Sequence, residues 1–182
     1  MRIGVLVSGS GTNLEAILEA QLPVVVVLAD RACRGLEIAS AAGVDAVLVE
    51  RTSFGKDFDR LAYTHLVLDA LNAHDVDLVV MAGFMTVLDK PVFDAFPQRI
   101  INTHPSLLPA FPGAHAVEDA LAAGVKLTGC TVHVATLEVD AGPILAQEAV
   151  PVLPGDTVAS LHERIKQVER KLYSKTIKEL TQ

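Results

Sequence analysis

The sequence holds no tryptophan, and aromatic residues make up only 4% of its 182 residues. A core built from so few rings must be aliphatic, which suits strands covered on both faces by helices. Cysteine is scarce too. Cys33 and Cys130 stand apart, with no Cys-x-x-Cys or Cys/His spacing, so neither a disulfide framework nor a zinc site is indicated. Both read as small buried residues of a reducing compartment. Basic residues number 15 against 22 acidic ones, a formal charge of −7. Such a surface repels nucleic acid and anionic membranes, so an anionic ligand must be held by local devices such as helix N-termini. No apolar run approaches the length needed to cross a bilayer; Val24–Ala29 is among the longest. Residues 1–7 enter a strand pattern at once, without the features of a signal peptide, and the chain reads as soluble and cytoplasmic.

What is present is an alternation of short apolar runs and helical patterns. Strand-type runs occupy residues 2–7, 23–29, 46–49, 76–81 and 99–102, and helices are expected over 12–20, 36–42 and 58–74. In the last of these helices Leu61, His65, Leu68 and Leu71 recur three or four apart. This order predicts an α/β fold with a doubly wound, mostly parallel, Rossmann-like sheet. The last third differs. Residues 128–136 alternate, residues 144–150 follow the turn Asp140-Ala141-Gly142-Pro143, and 157–180 form a long helix. Antiparallel strands are therefore expected to be added there. With no repeat, low-complexity tract or linker, one domain over 1–182 is expected, with the change of character dividing it into halves at 1–100 and 101–182.

Ser8-Gly9-Ser10-Gly11-Thr12-Asn13 sits between the first strand and the first helix, where backbone N–H groups can receive a phosphate. Thr12 and Glu15 fit a capping box. The third glycine of a dinucleotide fingerprint is replaced by Leu14, Asp30 is the one candidate for a ribose carboxylate, and no Gly-Lys-Ser/Thr follows. One phosphate suits the loop better than a pyrophosphate. A plain glycine-rich turn is the alternative.

Ile101-Asn102-Thr103-His104-Pro105-Ser106-Leu107-Leu108-Pro109 lies where a strand leaves the sheet, the end at which open α/β sheets place ligands. Asn102 and His104 share one side of an extended run. An amide donor beside an imidazole meets two needs of acyl transfer to an amine: a donor for the developing oxyanion and a group that moves protons near neutral pH. A carboxylate nearby would favour the charged imidazole. Asp140 is the candidate and Glu138 its rival. The alternative is a turn histidine beside a strand-end asparagine, but two prolines and a serine around His104 make a rigid loop. No Gly-x-Ser-x-Gly elbow is present, which argues against a serine hydrolase. Leu108-Pro109 is the X-Pro bond to examine for a cis peptide.

Four segments in order carry a resemblance: Gly9-Ser10-Gly11-Thr12-Asn13-Leu14, Met81-Ala82-Gly83-Phe84-Met85, Ile101 to Pro109, and Asp140-Ala141-Gly142-Pro143. Together the chain resembles the folate-dependent glycinamide ribonucleotide (phosphoribosylglycinamide) formyltransferases of purine biosynthesis. The resemblance implies transfer of a formyl group from the cosubstrate 10-formyltetrahydrofolate to the amine of 5'-phosphoribosylglycinamide, without a metal. It implies small-molecule partners only, with no nucleic acid and no membrane. By position it implies that Asn102 polarises the formyl oxygen and also touches folate, that His104 donates the proton, and that Asp140 supports the charged imidazole. Gly11, Thr12 and Asn13 would hold the substrate phosphate, with Gly83, Lys166 and Glu169 completing the ribonucleotide site. Met85, Thr86, Val87 and Leu88 would line the folate cleft. Two positions depart from the pattern: Lys56 stands where relatives carry a folate-contacting arginine, and Thr86 where a basic residue is common. A lysine is a point charge and not a planar fork.

Two relatives of the same chemistry fit less well. Methionyl-tRNA formyltransferases need an RNA-binding domain and a basic surface, and formyltetrahydrofolate hydrolases carry an N-terminal regulatory domain. A non-catalytic nucleotide-binding module would explain the sheet and the glycine loop but leave the His104 segment without a purpose.

Overall fold

The computed structural model describes residues 1–182. Its first 101 residues and its last 81 each form a compact unit, Met1–Ile101 and Asn102–Gln182. Along the sheet the strand order is β3-β2-β1-β4-β5-β6-β7. The strands are β1 (Ile3–Val7), β2 (Val24–Ala29), β3 (Asp45–Leu48), β4 (Leu78–Met81), β5 (Ile100–His104), β6 (Leu127–Val134) and β7 (Ile144–Pro151). The expected doubly wound, mostly parallel sheet with antiparallel strands in the last third is the observed fold.

In the first unit β1 pairs in parallel with β2 and β4, and β2 with β3. Every residue of β1 is buried. A run of Val, Leu and Ile without polar alternation can satisfy this only where helices cover both faces. Those helices are α1 (Thr12–Glu19), α2 (Arg34–Ala41), α3 (Arg60–Ala73) and α4 (Lys90–Ala95). α1 contributes Leu14 and Ile17 to the interior. α3 keeps only part of the expected stripe inward: Tyr63, Thr64, Val67 and Leu71 are buried and Leu68 is half-buried, while Leu61 and His65 face solvent. Tyr63 explains the rotation. Its ring is buried and its hydroxyl donates to the Val49 carbonyl, so the largest side chain of the helix sets the phase. Helix α4 lies outside the sequence expectations, since six residues give too little periodicity to read. Asp89 caps it through its first N–H.

The second unit contains β6 and β7, paired antiparallel, with α5 (Ala116–Ala122) and α6 (Val158–Thr181). α5, of seven residues, is also beyond the sequence expectations. Val117, Cys130, Val150, Leu161 and Ile165 form its core. α6 buries Leu161, Ile165, Glu169, Tyr173 and Ile177, four apart along one stripe, so a helix of low mean hydropathy still docks firmly. Its start is a capping box: the Thr157 side chain accepts from the Ser160 N–H and the Ser160 hydroxyl accepts from the Thr157 N–H. Thr157→Ala should therefore destabilise the protein by about 1 kcal/mol, read from urea unfolding midpoints. An unchanged midpoint would show that the bidentate Arg164–Asp156 pair holds this helix end alone. No helix is long and apolar enough to cross a membrane.

Candidate active site

Strand β5 delivers two polar side chains to one face, Asn102 and His104, two residues apart. The chain beyond is pinned by side chains of the hairpin that follows. The Thr131 hydroxyl donates to the Ser106 carbonyl and accepts from the Leu108 N–H, and the Gln147 amide donates to Thr131 and to the Leu108 carbonyl. The Ser106 hydroxyl closes the turn on the Ala110 carbonyl. Leu108-Pro109 is cis. Residues 104–110 are thus a braced loop, whose bonds come from strands remote in sequence.

The His104 ring is enclosed, and acceptors face both of its nitrogens. Nε2 donates to the Phe111 carbonyl at 2.8 Å, and Nδ1 lies 3.4 Å from Asp140 Oδ2. Only the imidazolium, with two N–H groups, can donate to both at once. The His104 and Asp140 side chains are 7% and 6% exposed, so water does little to screen the pair. The same Asp140 oxygen accepts from the Gly113 N–H at 2.8 Å. Phe111 and Asp140 both have left-handed backbones, φ 51° and 56°. Such a conformation persists in non-glycine residues where surrounding bonds impose it, and here each of the two belongs to the bonding around His104. Gly142 brings the Asp140 turn in: a Cβ there would overlap the Val134 carbonyl oxygen. Glu138, the rival carboxylate, is exposed.

A second histidine, His133, lies outside the sequence expectations and belongs to this cluster. It is 1% exposed. Its Nδ1 bonds the Val134 carbonyl at 3.0 Å, and its Nε2 lies 3.4 Å from Asn102 Nδ2 and 3.7 Å from Asp140 Oδ1. Burial pushes its pKa below the usual histidine value, against the weaker pull of the Val134 carbonyl and the Asp140 charge. The available signal was strand alternation, because Thr131 and His133 share a face of β6.

Thr103 points the other way from β5 and donates to Glu169 Oε1 at 3.0 Å, fixing a buried carboxylate on α6. Lys166 lies one turn before it, half-buried. Cys130 is not a nucleophile here: burial, then the charges of Glu169 and Glu148, pushes its thiol up to about 12.

Within residues 1–101 the glycine loop departs from the expected cap. Thr12 is the first residue of α1 and Gly11 its N-cap, with no side-chain cap bond. Glu15 reaches the Arg34 guanidinium at 2.6 Å instead of folding back. Gly11 has φ 74°, and a Cβ there would meet Ile38 at 2.7 Å. The loop therefore closes on α2 without a side chain, leaving the helix N-terminus as its polar feature.

Asp30 is no ribose carboxylate. It is fully buried and accepts from Arg31, from the Thr86 hydroxyl at 2.7 Å and from Ser8. Burial opposes its charge, but these bonds together outweigh that and hold its carboxyl below the ordinary aspartate range. Ser8 Oγ also accepts from the Met85 N–H, and the Ser8 N–H donates to the Gly83 carbonyl. The segment from Gly83 to Leu88 is thereby tied to the ends of β1 and β2. Thr86 and Leu88 point inward as anchors, while Met85 and Val87 are 65% and 45% exposed. Lys56 sits exposed in a turn. The ordered cation beside this segment is Arg51, stacked on Phe58 at 3.9 Å and Phe54 at 4.7 Å, bonded to the Ser53 carbonyl and 3.4 Å from the Thr86 hydroxyl.

Comparison with known proteins places this geometry among relatives. The family model described as "Formyl transferase" matches residues 1–177. A phosphoribosylglycinamide formyltransferase of Mycobacterium tuberculosis is 48% identical over 176 residues, covering 94% of this chain and 80% of that protein. The crystal structure of glycinamide ribonucleotide transformylase 1 from Symbiobacterium toebii superposes with a TM-score of 0.89 at 49% identity, over 97% of this chain and 85% of that one. The phosphoribosylglycinamide formyltransferase structure from Streptococcus pneumoniae gives a TM-score of 0.91 at 37% identity, over 100% and 99%. A match that spans the glycine loop, β5 and the Asp140 turn alike settles the classification, and the chain belongs to the formyl transferase family.

Proposed function

We propose that this protein transfers the formyl group of 10-formyltetrahydrofolate to the amine of 5'-phosphoribosylglycinamide, as a cytoplasmic enzyme of purine biosynthesis. The observation that carries the reading is the enclosed His104–Asp140 pair, with Asn102 two residues before His104 on the same strand, in a chain nearly half identical to an enzyme of that name. The substrate amine attacks the formyl carbon, and the carbonyl oxygen gathers negative charge. The Asn102 amide N–H stabilises that oxygen. As the bond from carbon to the folate nitrogen breaks, that nitrogen takes the Nε2 proton of His104, which leaves the Phe111 carbonyl to deliver it, and the attacking amine returns a proton to Nε2. One proton moves from amine to folate nitrogen, and no metal or redox step is needed. Asp140 accepts from the imidazole throughout.

Binding roles follow the same reading. The N–H groups of Gly11, Thr12 and Asn13, at the start of α1, suit a single phosphate. Gly83, Lys166 and Glu169 complete the ribonucleotide contacts, and the segment from Met85 to Leu88, with Asn102, receives the folate. Phosphate recognition thus lies in residues 1–100 and catalysis in 101–182. For the folate's carboxylates Lys56 supplies a mobile charge, and Arg51 supplies a fixed fork whose aromatic bed holds it in place. Arg51→Ala should raise KM for the folate about tenfold or more while kcat changes little, the loss of one charged hydrogen bond. A KM unchanged in steady-state rates would return that role to Lys56.

The whole reading is tested by mixing the protein with 10-formyl folate and following folate absorbance, with and without the ribonucleotide. A change that requires the ribonucleotide is expected. A change without it would make the protein a formyl-folate hydrolase, and no change in either case would leave a nucleotide-binding module.

A further inference from the structure

The Asn102 side chain has two ends, and only its N–H₂ end can stabilise an oxyanion. A primary amide offers no shape difference between oxygen and nitrogen, so a neighbour must decide which end faces the reaction. The neighbour within reach is His133. Its own protonation pattern is fixed by two facts. The Val134 carbonyl, 3.0 Å from Nδ1, can only accept, so Nδ1 carries a hydrogen. The ring is buried to 1% exposure, which disfavours a second proton. Nε2 is therefore a bare lone pair, and it faces Asn102 at 3.4 Å.

We infer that His133 is a positioning residue for formyl transfer: as the neutral Nδ1–H tautomer, it accepts one hydrogen from the Asn102 amide through Nε2 and so aims the other at the formyl oxygen. The inference rests on the function proposed above. The opposite amide orientation would set the Asn102 carbonyl oxygen against the Nε2 lone pair, two acceptors facing each other. His133 also leaves Asp140 undivided. Its Nε2 is 3.7 Å from Asp140 Oδ1, and without a hydrogen it makes no bond there, while the other carboxylate oxygen serves His104 and Gly113. A proton on Nε2 would reverse both effects, turning its hydrogen against the Asn102 N–H₂ group and giving Asp140 a second imidazole to serve. The groups that face the ring are thus Asn102 and His104 from β5 and Asp140 from the 135–143 turn.

Two readouts test this. The first needs no substrate: ¹⁵N NMR of the wild-type ring at neutral pH should show a protonated Nδ1 and a bare Nε2. An Nε2–H tautomer or an imidazolium would overturn the inference, whatever the protein catalyses. The second is kinetic. His133→Asn retains a donor near Nδ1 but has nothing at Nε2, whereas His133→Gln places an amide oxygen near Nε2. His133→Asn should lower kcat between about 10- and 100-fold, the range for a displaced reacting group, with both KM values within about twofold. His133→Gln should recover most of kcat. In an Asn102→Ala background His133→Asn should cost nothing further. Equal losses in the two His133 variants, losses that follow their melting temperatures, or a full loss in the Asn102→Ala background would make His133 a packing residue only. If the wild type shows no ribonucleotide-dependent transfer, the proposed function fails, and the tautomer measurement still stands or falls by itself.

Discussion

His104→Ala should lower kcat by about 10²- to 10⁴-fold, the contribution of a positioned acid–base group. KM for the ribonucleotide should change far less. The geometry separates the two effects. His104 ends strand β5, enclosed by the Phe111 carbonyl and the Asp140 carboxylate, whereas the loop assigned to the substrate phosphate leads into helix α1. Uniform binding is therefore left intact, and only an interaction that strengthens as the carbon–nitrogen bond breaks is removed. The fold should survive, because the neighbouring loop keeps the bonds made by Thr131, Gln147 and Ser106. Initial rates with both substrates varied, beside a thermal melt, provide the check. A folded variant with near-native kcat would remove His104 from the chemistry and leave Asn102 as the main source of rate enhancement.

How much of this was legible from residues alone depended on the range of the forces involved. The strands were legible because continuous Val, Leu and Ile runs between turn residues can satisfy their backbones only in a covered sheet. The long α6 was legible from its four-residue spacing. The start of α1 departs from its local pattern: Thr12 and Glu15 have the capping spacing, but Glu15 is taken by Arg34, nineteen residues on, a competitor that no local pattern reveals. The inward stripe of α3 was likewise set by the Tyr63 hydroxyl reaching Val49 and not by the count of leucines. The short helices α4 and α5 depend on their surroundings for stability, since one or two turns carry little intrinsic preference.

The candidate site divides in the same way. Asn102 and His104 stand two apart on one strand, so local geometry alone set them side by side. That Asp140 and not Glu138 meets the ring follows from a left-handed residue and a side-chain-free Gly142, both visible in sequence only as a turn. His133 escaped notice because a histidine in an alternating strand looks like any half-buried polar residue until its neighbours are known. Arg51 escaped for a different reason. Its importance lies in stacking on Phe54 and Phe58, contacts that have no fixed spacing in sequence.

Asp140→Asn isolates the charge of that carboxylate from its shape. One oxygen, Oδ2, faces His104 and also accepts from the Gly113 N–H. An asparagine oxygen in that place keeps both contacts, and its NH₂ group then faces the bare Nε2 of His133 across the 3.7 Å now spanned from Oδ1. The turn should stay as it is, and kcat should fall by about 10²-fold, the low end for acid–base assistance, because the imidazolium has lost its counter-charge in a site with little water. If Asp140 acts only through His104, its loss cannot matter once the ring is gone. The double variant His104→Ala with Asp140→Asn should then turn over within about threefold of His104→Ala alone, far from the product of the two single losses. Multiplying losses would mean that Asp140 also acts apart from His104, on the reacting atoms or through the His133 Nε2 that faces Asn102.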